Sequence, residues 1–291
     1  MAGPYYAALR PISQVLGSPH DDTPLPPDRL RSKIVTLAPS VTRVLLIPAA
    51  GRGARLGSPL PKLLTPVAGR AMIDHVLDRY GDVINGAVIV VNPADRPLVD
   101  RHLHRHGSKV RITEQSAPTG MLDAILLAAD TVRQSKPERV WITWCDQVGI
   151  SPSTVATLTA IETESPDQDA ILPIVRQPSP YIHFDRDAAG QLTAVRQRRE
   201  GDEMPHIGTS DAGLFSLSRK AFAQWLPEYS AVAPPGSGTG ERNFLPFLPW
   251  LAERTPIATF EIDVQEAQGI NTPEDLAAVE QRLRLVADSS S

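Results

Sequence analysis

The chain lacks the features that mark secreted, membrane-embedded or disulfide-bonded proteins. It has a single cysteine, Cys145, among 291 residues, which excludes an internal disulfide and a cysteine-rich zinc site. No apolar run is long enough to cross a bilayer, and the first residues lack the charged start and apolar core of a secretion signal. The formal net charge of −4 argues against a general nucleic-acid binder, which needs a basic face. We therefore expect a cytoplasmic protein that binds neither membranes nor nucleic acid.

What the sequence does contain is a loop of small and basic residues directly after an apolar run. Residues 44–47 are followed by Pro48-Ala49-Ala50-Gly51-Arg52-Gly53-Ala54-Arg55-Leu56-Gly57, and Pro61-Lys62 comes shortly after. Glycine lets a ligand approach the backbone, whose N–H groups can bind anionic oxygens, while arginine and lysine neutralise phosphate charge. The pattern indicates a triphosphate-binding loop at the end of a strand.

Two better-known phosphate-binding loops do not fit this stretch. A Walker A loop needs a lysine directly after its last glycine, but Gly57 is followed by Ser58 and the lysine comes only at Lys62. The dinucleotide-binding fingerprint needs a third glycine where this chain has Leu56. The loop therefore belongs to another class of nucleotide-binding site.

From about residue 41 onward, short apolar segments alternate with segments of helical periodicity. Strand-like runs at 44–47, 87–91, 110–113 and 140–144 are separated by helix-like runs at 71–80, 95–106 and 121–132. Such alternation is typical of a parallel sheet covered by helices on both faces, with ligands bound at the carboxyl ends of the strands. We predict an α/β fold, a Rossmann-like three-layer sandwich with a mostly parallel, mixed sheet.

Three other regions shape the expected organisation. Residues 1–42 contain seven prolines, too many for a long helix, and we interpret them as an extension before a domain of residues 43–287. Residues 175–250 are expected to form a more antiparallel subregion that binds the second substrate, with a hairpin near its start and a mobile loop at 231–240. The last helix is predicted to begin at Pro273, with Thr272 as its N-cap.

The basic loop and the residues after it resemble the sugar-1-phosphate nucleotidyltransferases, within the MobA-like NTP transferases. The family pattern A-A-G-x-G-x-R followed by P-K is matched by Ala49-Ala50-Gly51, Gly53, Arg55 and Pro61-Lys62. Residues 63–76 are similar to the same region in the uridylyltransferase domain of the bifunctional N-acetylglucosamine-1-phosphate enzymes. The resemblance implies that a sugar 1-phosphate attacks the α-phosphate of a nucleoside triphosphate in line and releases pyrophosphate. The attacking phosphate is already anionic, so no general base is required.

The resemblance also assigns roles to single residues. Arg55 is expected to bind the leaving β- and γ-phosphates, and Lys62 to bridge the α-phosphate and the attacking phosphate. Asp146, at the carboxyl end of a strand, and Asn271, far along the chain, are expected to hold Mg²⁺ through hard oxygen ligands. The nucleotide-binding residues that the resemblance implies are Ala49, Ala50, Gly51, Arg52, Gly53, Gln115, Thr119 and Gly120.

Selection of the base is left open by the sequence. Residues 114–120, Glu-Gln-Ser-Ala-Pro-Thr-Gly, resemble the family's E-Q-x-G-T-G, in which the glutamine reads the edge of the base. Pro118 stands where a glycine is expected, and the loop is one residue longer. A preference for uracil therefore does not follow from this stretch.

The segments that would bind the acceptor depart further from the family. The resemblance assigns the acceptor to Tyr181, Arg196, Asp211 and Gly213, but Arg196 replaces a glutamate and Asp211 replaces an asparagine. The tyrosine is followed by Ile182 in place of a glycine. These changes imply a different acceptor, of more acidic character. A shift of the match by one or two residues would alter the assignments.

Two other functions stay open at this point. One is cytidylyl or guanylyl transfer to a non-sugar phosphate acceptor, and the other is a degenerate nucleotide-binding regulatory protein. The presence of Arg55, Lys62, Asp146 and Asn271 together favours an enzyme, since a pure binder does not need all four. The expected ligands are a nucleoside triphosphate and a phosphorylated small-molecule acceptor, with Mg²⁺ as cofactor. Assembly into a homo-oligomer is compatible with the sequence.

Overall fold

The computed structural model describes residues 41–51 and 53–289. Residues 1–40 of the predicted extension and Arg52, predicted to bind the nucleotide, therefore lie outside the described residues. None of the described helices combines the length and apolar character needed to span a bilayer.

Strands and helices alternate along the described chain. The strands are β1 (Arg43–Pro48), β2 (Pro66–Val67), β3 (Arg70–Ala71), β4 (Gly86–Val91), β5 (Val110–Glu114), β6 (Arg139–Thr143), β7 (Ala170–Pro178), β8 (Ile182–Arg186), β9 (Leu192–Gln197), β10 (Ile207–Asp211), β11 (Leu214–Ser218) and β12 (Ile257–Glu261). The α-helices are α1 (Met72–Tyr80), α2 (Arg96–Leu103), α3 (Met121–Leu127), α4 (Ala129–Arg133), α5 (Pro152–Glu164), α6 (Leu226–Val232), α7 (Phe247–Ala252) and α8 (Pro273–Ser289).

Eight of the described strands form one mixed sheet in the order β10-β7-β11-β6-β1-β4-β5, with β12 beside β7. Strands β6, β1, β4 and β5 run parallel, so that Leu46 pairs with Val88 on one side and with Ile142 on the other. Strand β11 is antiparallel to β6 and β7, and β10 is antiparallel to β7. The predicted α/β fold with a mostly parallel, mixed sheet is confirmed.

Helices cover both faces of this sheet because its central strands are apolar on both sides. In β1, Val44 and Leu46 belong to one buried cluster, which also contains residues of α3, α6 and α7. Leu45 and Ile47 belong to the other, with residues of α1, α2, α5 and α8. Alternate side chains of a strand point to opposite faces, so the uninterrupted apolar run of β1 serves two cores. The three layers expected from the sequence are present.

Several local predictions are also met, and two helices differ. Strands β8 and β9 form the predicted hairpin, and the backbone N–H of Asp275 donates to Thr272 Oγ1 at 3.2 Å, which caps α8 as expected. The helix predicted over residues 121–132 is broken at Ala128 into α3 and α4. A π-helical turn, Ala221–Trp225, comes directly before α6. Apolar periodicity located these helices but not their irregular turns, which tertiary packing determines.

A buried ion pair ties the middle of the sheet to α5. The carboxylate of Glu162 accepts hydrogen bonds from Arg43 Nε at 2.7 Å, Trp141 Nε1 at 2.6 Å and Ser216 Oγ at 2.5 Å. The three donors lie on β1, β6 and β11, and the side chain of Glu162 is fully buried. A buried charge is tolerated when it is paired with an opposite charge and its other hydrogen-bonding positions are filled, as they are for Glu162. The network joins α5 to the strands β1 and β6, whose carboxyl ends carry the site described below.

Replacing Glu162 by alanine should destabilise the protein strongly, because the buried guanidinium of Arg43 then loses its partner. The expected loss in the free energy of unfolding is about 3–5 kcal/mol, measured by urea denaturation. The matched control is Glu253→Ala, which removes an exposed ion pair with Arg254 and should change the free energy of unfolding by less than about 1 kcal/mol. Equal effects of the two substitutions would show that the Glu162 network does not hold the strands together.

Candidate functional site

The carboxyl ends of β1 and β6 open into a cavity of about 790 Å³. Residues predicted for nucleotide, metal and acceptor binding meet in its wall, although they come from distant parts of the chain. Those that line it are Ala49, Ala50, Gly51, Gly53, Arg55, Lys62, Gln115, Gly120, Asp146, Tyr181, Asp211 and Asn271. The side chain or backbone of each is therefore available to one bound ligand or to two ligands held side by side.

The predicted catalytic cations and metal ligands contact each other directly. Lys62 Nζ donates to Asp146 Oδ2 and, at 2.9 Å, to Asn271 Oδ1. Arg55 Nη2 donates to the same oxygen of Asn271 at 3.4 Å. The ammonium of Lys62 and the carboxylate of Asp146 are each mostly buried. Two cations and two oxygen ligands thus converge at one end of the cavity.

Local conformation explains why Lys62 reaches this position. Gly53 has a φ of +58°, and a Cβ built there would lie 2.8 Å from the Cβ of Lys62. Only glycine both adopts this backbone conformation at low energy and leaves room for the lysine stem. Lys62 begins a short 3₁₀ turn that is anchored by the fully buried side chain of Leu63. Gly53 and Leu63 therefore orient Lys62 toward the end of β6.

The loop before α8 positions Asn271 in a similar way. The carboxylate of Asp275 accepts from the backbone N–H groups of Asn271 and Thr272, both at 2.9 Å. Because Thr272 Oγ1 accepts in turn from the N–H of Asp275, the two side chains form a reciprocal cap. The N–H of Ile270 also donates to the backbone carbonyl of Asp146 at 3.4 Å. These contacts bring Asn271 beside the end of β6.

The donor set at this point fits a magnesium ion. A carboxylate oxygen of Asp146 and an amide oxygen of Asn271 are hard ligands, and both already face a positive charge, the ammonium of Lys62. Gly269 lies beside the pair, where a Cβ would be 3.4 Å from Asp146 Oδ2. Within the described residues no group of three or more His, Cys, Asp or Glu side chains could hold a metal. Two protein ligands completed by phosphate oxygens and waters are typical of Mg²⁺.

The loop after β5 holds the predicted base-reading residue in one orientation. Gln115 Nε2 donates to Thr119 Oγ1 at 3.2 Å and to the carbonyl oxygen of Gly120 at 3.1 Å. The carbonyl of Gly120 can only accept, so the amide nitrogen of Gln115 must face it. This leaves Gln115 Oε1 as the acceptor that the side chain can offer to a ligand. Thr119 does not line the cavity; it orients Gln115.

Gly120 is a point of contact between the two halves of the site. Its φ is +117°, and a Cβ built there would overlap the backbone N and O atoms of Arg242. The N–H of Arg242 donates to the carbonyl of Thr119 at 2.8 Å, and the N–H of Leu122 donates to the carbonyl of Arg242 at 3.1 Å. Gly120 is therefore required so that the segment around Arg242 can pack against the loop after β5.

At the opposite end of the cavity, the structure does not bring Arg196 to the cavity wall. Its side chain pairs with Asp185 at 2.7 Å and donates to the carbonyl of Glu203 at 3.3 Å. The next residue, Gln197, is buried and lines the cavity instead. Successive side chains of a strand point to opposite faces. A one-residue shift of the match along β9 would therefore place Gln197, not Arg196, against the acceptor.

Sequence reasoning missed a second group of residues at this end. Arg199, Glu241 and Asn243 also line the cavity. Arg199 donates to Glu241 Oε2 at 3.3 Å and to Asn243 Oδ1. The sequence carries little signal for this contact, because the partners lie more than forty residues apart in irregular segments. Glycines at 236, 238 and 240 indicated only a loop.

The loop that contains Glu241 and Asn243 packs against the turn after β9, whereas composition predicted a mobile loop at 231–240. The carboxylate of Glu200 accepts from the N–H groups of Gly238 at 2.8 Å and Thr239 at 3.1 Å, from Thr239 Oγ1 at 2.7 Å and from Asn243 Nδ2 at 2.9 Å. Burial acts to raise the pKa of Glu200, but these hydrogen bonds outweigh it and bring the pKa to about 2. We refer to residues 236–243 as the bridging loop, since it also contacts the loop after β5 through Arg242.

Asp211 is a second carboxylate at this end, with different surroundings. Its Oδ1 accepts from the backbone N–H of Gly213 at 2.8 Å. Gly213 itself is outside the cavity wall, has a φ of +69°, and leaves no room for a Cβ beside Gln147 and Trp144. Burial raises the pKa of Asp211 from the ordinary 3.8 to about 6. Gly213 thus positions Asp211, whose ionised form the protein solvates poorly.

Replacing Asp211 by asparagine should stabilise the protein at neutral pH. The folded state of the wild type holds the Asp211 proton more tightly than the unfolded state, so stability from this group is complete below pH 3.8 and is lost as pH rises through about 6. Asparagine does not ionise, and the variant should exceed the wild type by up to about 3 kcal/mol above pH 6. Urea denaturation at pH 4 and pH 7.5 measures the difference.

The control for this experiment is Asp130→Asn, which removes an almost fully exposed carboxylate. It should change the free energy of unfolding by less than about 0.5 kcal/mol at either pH. A stabilisation by Asp211→Asn that is the same at both pH values would contradict the assignment.

The chain is similar to known proteins over most of its length. Residues 45–207 match the MobA-like NTP transferase domain. The bifunctional protein GlmU of Francisella philomiragia subsp. philomiragia is 27% identical over 240 residues, which are 81% of this chain and 51% of that protein. GlmU of Granulibacter bethesdensis is 29% identical over 257 residues, 85% of this chain and 53% of that protein. The chain thus spans about half the length of these relatives.

A solved structure shows the same fold. It is that of CMP:2-keto-3-deoxy-manno-octonic acid synthetase complexed with CTP, with a TM-score of 0.60 and 18% sequence identity over 84% of this chain and 99% of that one. The domain match covers more than half of the chain and includes the basic loop, the loop after β5 and the end of β6. The chain therefore belongs to the MobA-like NTP transferase family and is a nucleotidyltransferase.

Proposed function

We propose that the protein transfers a nucleotidyl group from a nucleoside triphosphate to a sugar 1-phosphate and releases pyrophosphate. The observation that carries this proposal is the convergence of Lys62, Arg55, Asp146 and Asn271 at one end of the cavity. Polyphosphates need cations and hard oxygen ligands in one place, and this end supplies both. The other end is lined by amide, hydroxyl and carboxylate groups, which suit a polyhydroxylated molecule.

In the proposed reaction an oxygen of the sugar phosphate attacks the α-phosphorus, and the bond from that phosphorus to the bridging oxygen of pyrophosphate breaks. Lys62 neutralises charge on the α-phosphate and the attacking phosphate, while Arg55 binds the leaving phosphates. Because Lys62 is held by two hydrogen bonds, its charge is placed before the substrates arrive, which lowers the reorganisation needed in the transition state. Asp146 and Asn271 would hold Mg²⁺, which supplies further positive charge to the phosphates when bound.

The loop after β5 supports binding of a base with a donor group. Gln115 presents Oε1 because its amide nitrogen is already bonded to Thr119 and Gly120. Each of the four bases carries an N–H donor on its pairing edge, so this acceptor can bind a base without selecting one. The proposal therefore places the base of the triphosphate against Gln115 and its phosphates toward Lys62.

The function is tested by incubating the protein with Mg²⁺, each of the four nucleoside triphosphates and a panel of sugar 1-phosphates, with pyrophosphate release as the readout. Lys62→Met and Asp146→Ala should each lower kcat by about 100-fold or more, since each removes a contact that strengthens as charge develops. Arg70→Met is the matched control, because Arg70 is an exposed cation that pairs with the exposed Asp78. It should keep nearly the full rate.

Two outcomes would contradict the proposed function. Triphosphate binding without pyrophosphate release for any pair of substrates would favour the degenerate regulatory protein. Release with a non-sugar phosphate alone would favour the other transferase reaction. Near-normal rates for Asp146→Ala would separately exclude Asp146 as a metal ligand.

Gly120→Ala should weaken triphosphate binding, because the added Cβ would overlap the backbone of Arg242. The resulting shift would move the carbonyl of residue 120, which orients Gln115. We expect the Kd to rise about tenfold or more, which corresponds to about 1.4 kcal/mol. Gly190→Ala is the control: Gly190 has a φ of +84° with no atom near its Cβ position. It shares the backbone strain but not the overlap, and lies in the turn between β8 and β9. Calorimetric titration should show an unchanged Kd for this variant, and equal effects would refute the argument.

A further inference from the structure

Negative charge predominates at the acceptor end of the cavity. Of the described residues that line this end, Asp211 and Glu241 are acidic and Arg199 alone is basic. Glu200, the residue after Arg199, is a third carboxylate, and its Oε1 lies 3.5 Å from Arg199 Nε. At the phosphate end Lys62 pairs with Asp146, and Arg55 donates to Asn271. Asp275 also lines the cavity there, but its carboxylate accepts from the backbone N–H groups of Asn271 and Thr272. Both carboxylates at the phosphate end therefore already have partners.

Arg199 is not free to bind an anion. Its guanidinium donates to Glu241 Oε2 at 3.3 Å and to Asn243 Oδ1, and it also pairs with Glu200. Glu200 and Glu241 thus neutralise the guanidinium of Arg199. Through these pairs Arg199 holds the bridging loop in place. An acidic substituent on the acceptor would meet Arg199 only by breaking these pairs, and it would face Glu241 at the same time.

Asp211, in contrast, has no cationic partner among the described residues. Within the described part of the chain, the backbone N–H of Gly213 is the one group of another residue that donates to it. A half-buried carboxylate without a paired cation is unfavourable, and a ligand that brings a cation to it gains both the Coulomb attraction and the relief of that penalty. A neutral hydroxyl can donate a hydrogen bond to Asp211 but leaves the charge uncompensated. The side chain therefore discriminates between charged and neutral ligands.

We propose that the acceptor is an amino sugar 1-phosphate whose ammonium group is bound by Asp211. This inference rests on the nucleotidyltransferase function proposed above and adds the class of the acceptor. The anionic phosphate of such a molecule binds Lys62, and its cationic amine supplies the partner that Asp211 lacks among the described residues. It replaces the more acidic acceptor expected from Arg196, because that residue is paired with Asp185 away from the cavity.

The test compares acceptors that differ at one position of the sugar: glucosamine 1-phosphate, glucose 1-phosphate and N-acetylglucosamine 1-phosphate, with glucuronic acid 1-phosphate as the acidic counterpart. In the wild type kcat/KM should be highest for glucosamine 1-phosphate, by about tenfold or more over glucose 1-phosphate. In Asp211→Asn the ratio of kcat/KM for glucosamine 1-phosphate to kcat/KM for glucose 1-phosphate should fall to about one. Asp130→Asn, which removes an exposed charge, should keep the wild-type order.

Preference of the wild type for a neutral or acidic acceptor would overturn the inference, as would an equal loss for all acceptors in Asp211→Asn. Failure of the proposed function is seen separately, as absence of pyrophosphate release with every acceptor. Calorimetric titration of glucosamine 1-phosphate against the wild type and Asp211→Asn tests the inference without turnover, and equal affinities would refute it. Misfolding of Asp211→Asn would not explain a loss of affinity, because this substitution removes a destabilising charge.

Discussion

The contact of Lys62 with Asp146 and Asn271 is the interaction on which the rest of the site depends. It joins the loop after β1, the end of β6 and the start of α8, which are brought together only by the sheet. Each element serves this contact: Gly53 leaves room for the lysine stem, the cap of α8 holds the asparagine, and Glu162 ties β1 to β6. The ammonium of Lys62 is therefore preorganised within a partly buried site. Phosphoryl transfer depends mainly on such preorganised charge.

The two ends of the cavity differ in the charged groups that they present. Cations at one end suit phosphates, while at the other end carboxylates outnumber the single arginine, which they already neutralise. The bridging loop connects the ends, since Glu200 binds it on the acceptor side and Gly120 receives Arg242 on the nucleotide side. Its contacts fix the wall of the cavity on both sides.

The meeting of the basic loop with Asp146 was predictable because its signals are local. Small residues after an apolar strand, a glycine with positive φ and a proline-lysine pair constrain the backbone within a few residues of each other. A strand-end aspartate such as Asp146 then falls near the loop in any parallel sheet. The acceptor half was not predictable to the same degree. Whether Arg196 or Gln197 faces the cavity depends on the register of the β8–β9 hairpin. A shift of one residue in that register moves each side chain to the opposite face of the hairpin.

By itself the sequence determined the class of fold, and it located the basic loop and the four side chains that the structure brings together at one end of the cavity, Arg55, Lys62, Asp146 and Asn271. Hydrophobic periodicity, composition and short-range conformation encode these features. Tertiary structure alone decided that Glu200 and Arg199 hold the bridging loop, that Gly120 must admit the backbone of Arg242, and that Asp211 lines the cavity with no cationic partner among the described residues. Those contacts join residues far apart in irregular segments. Their energies arise from burial and charge pairing that exist only once the sheet has brought the segments together.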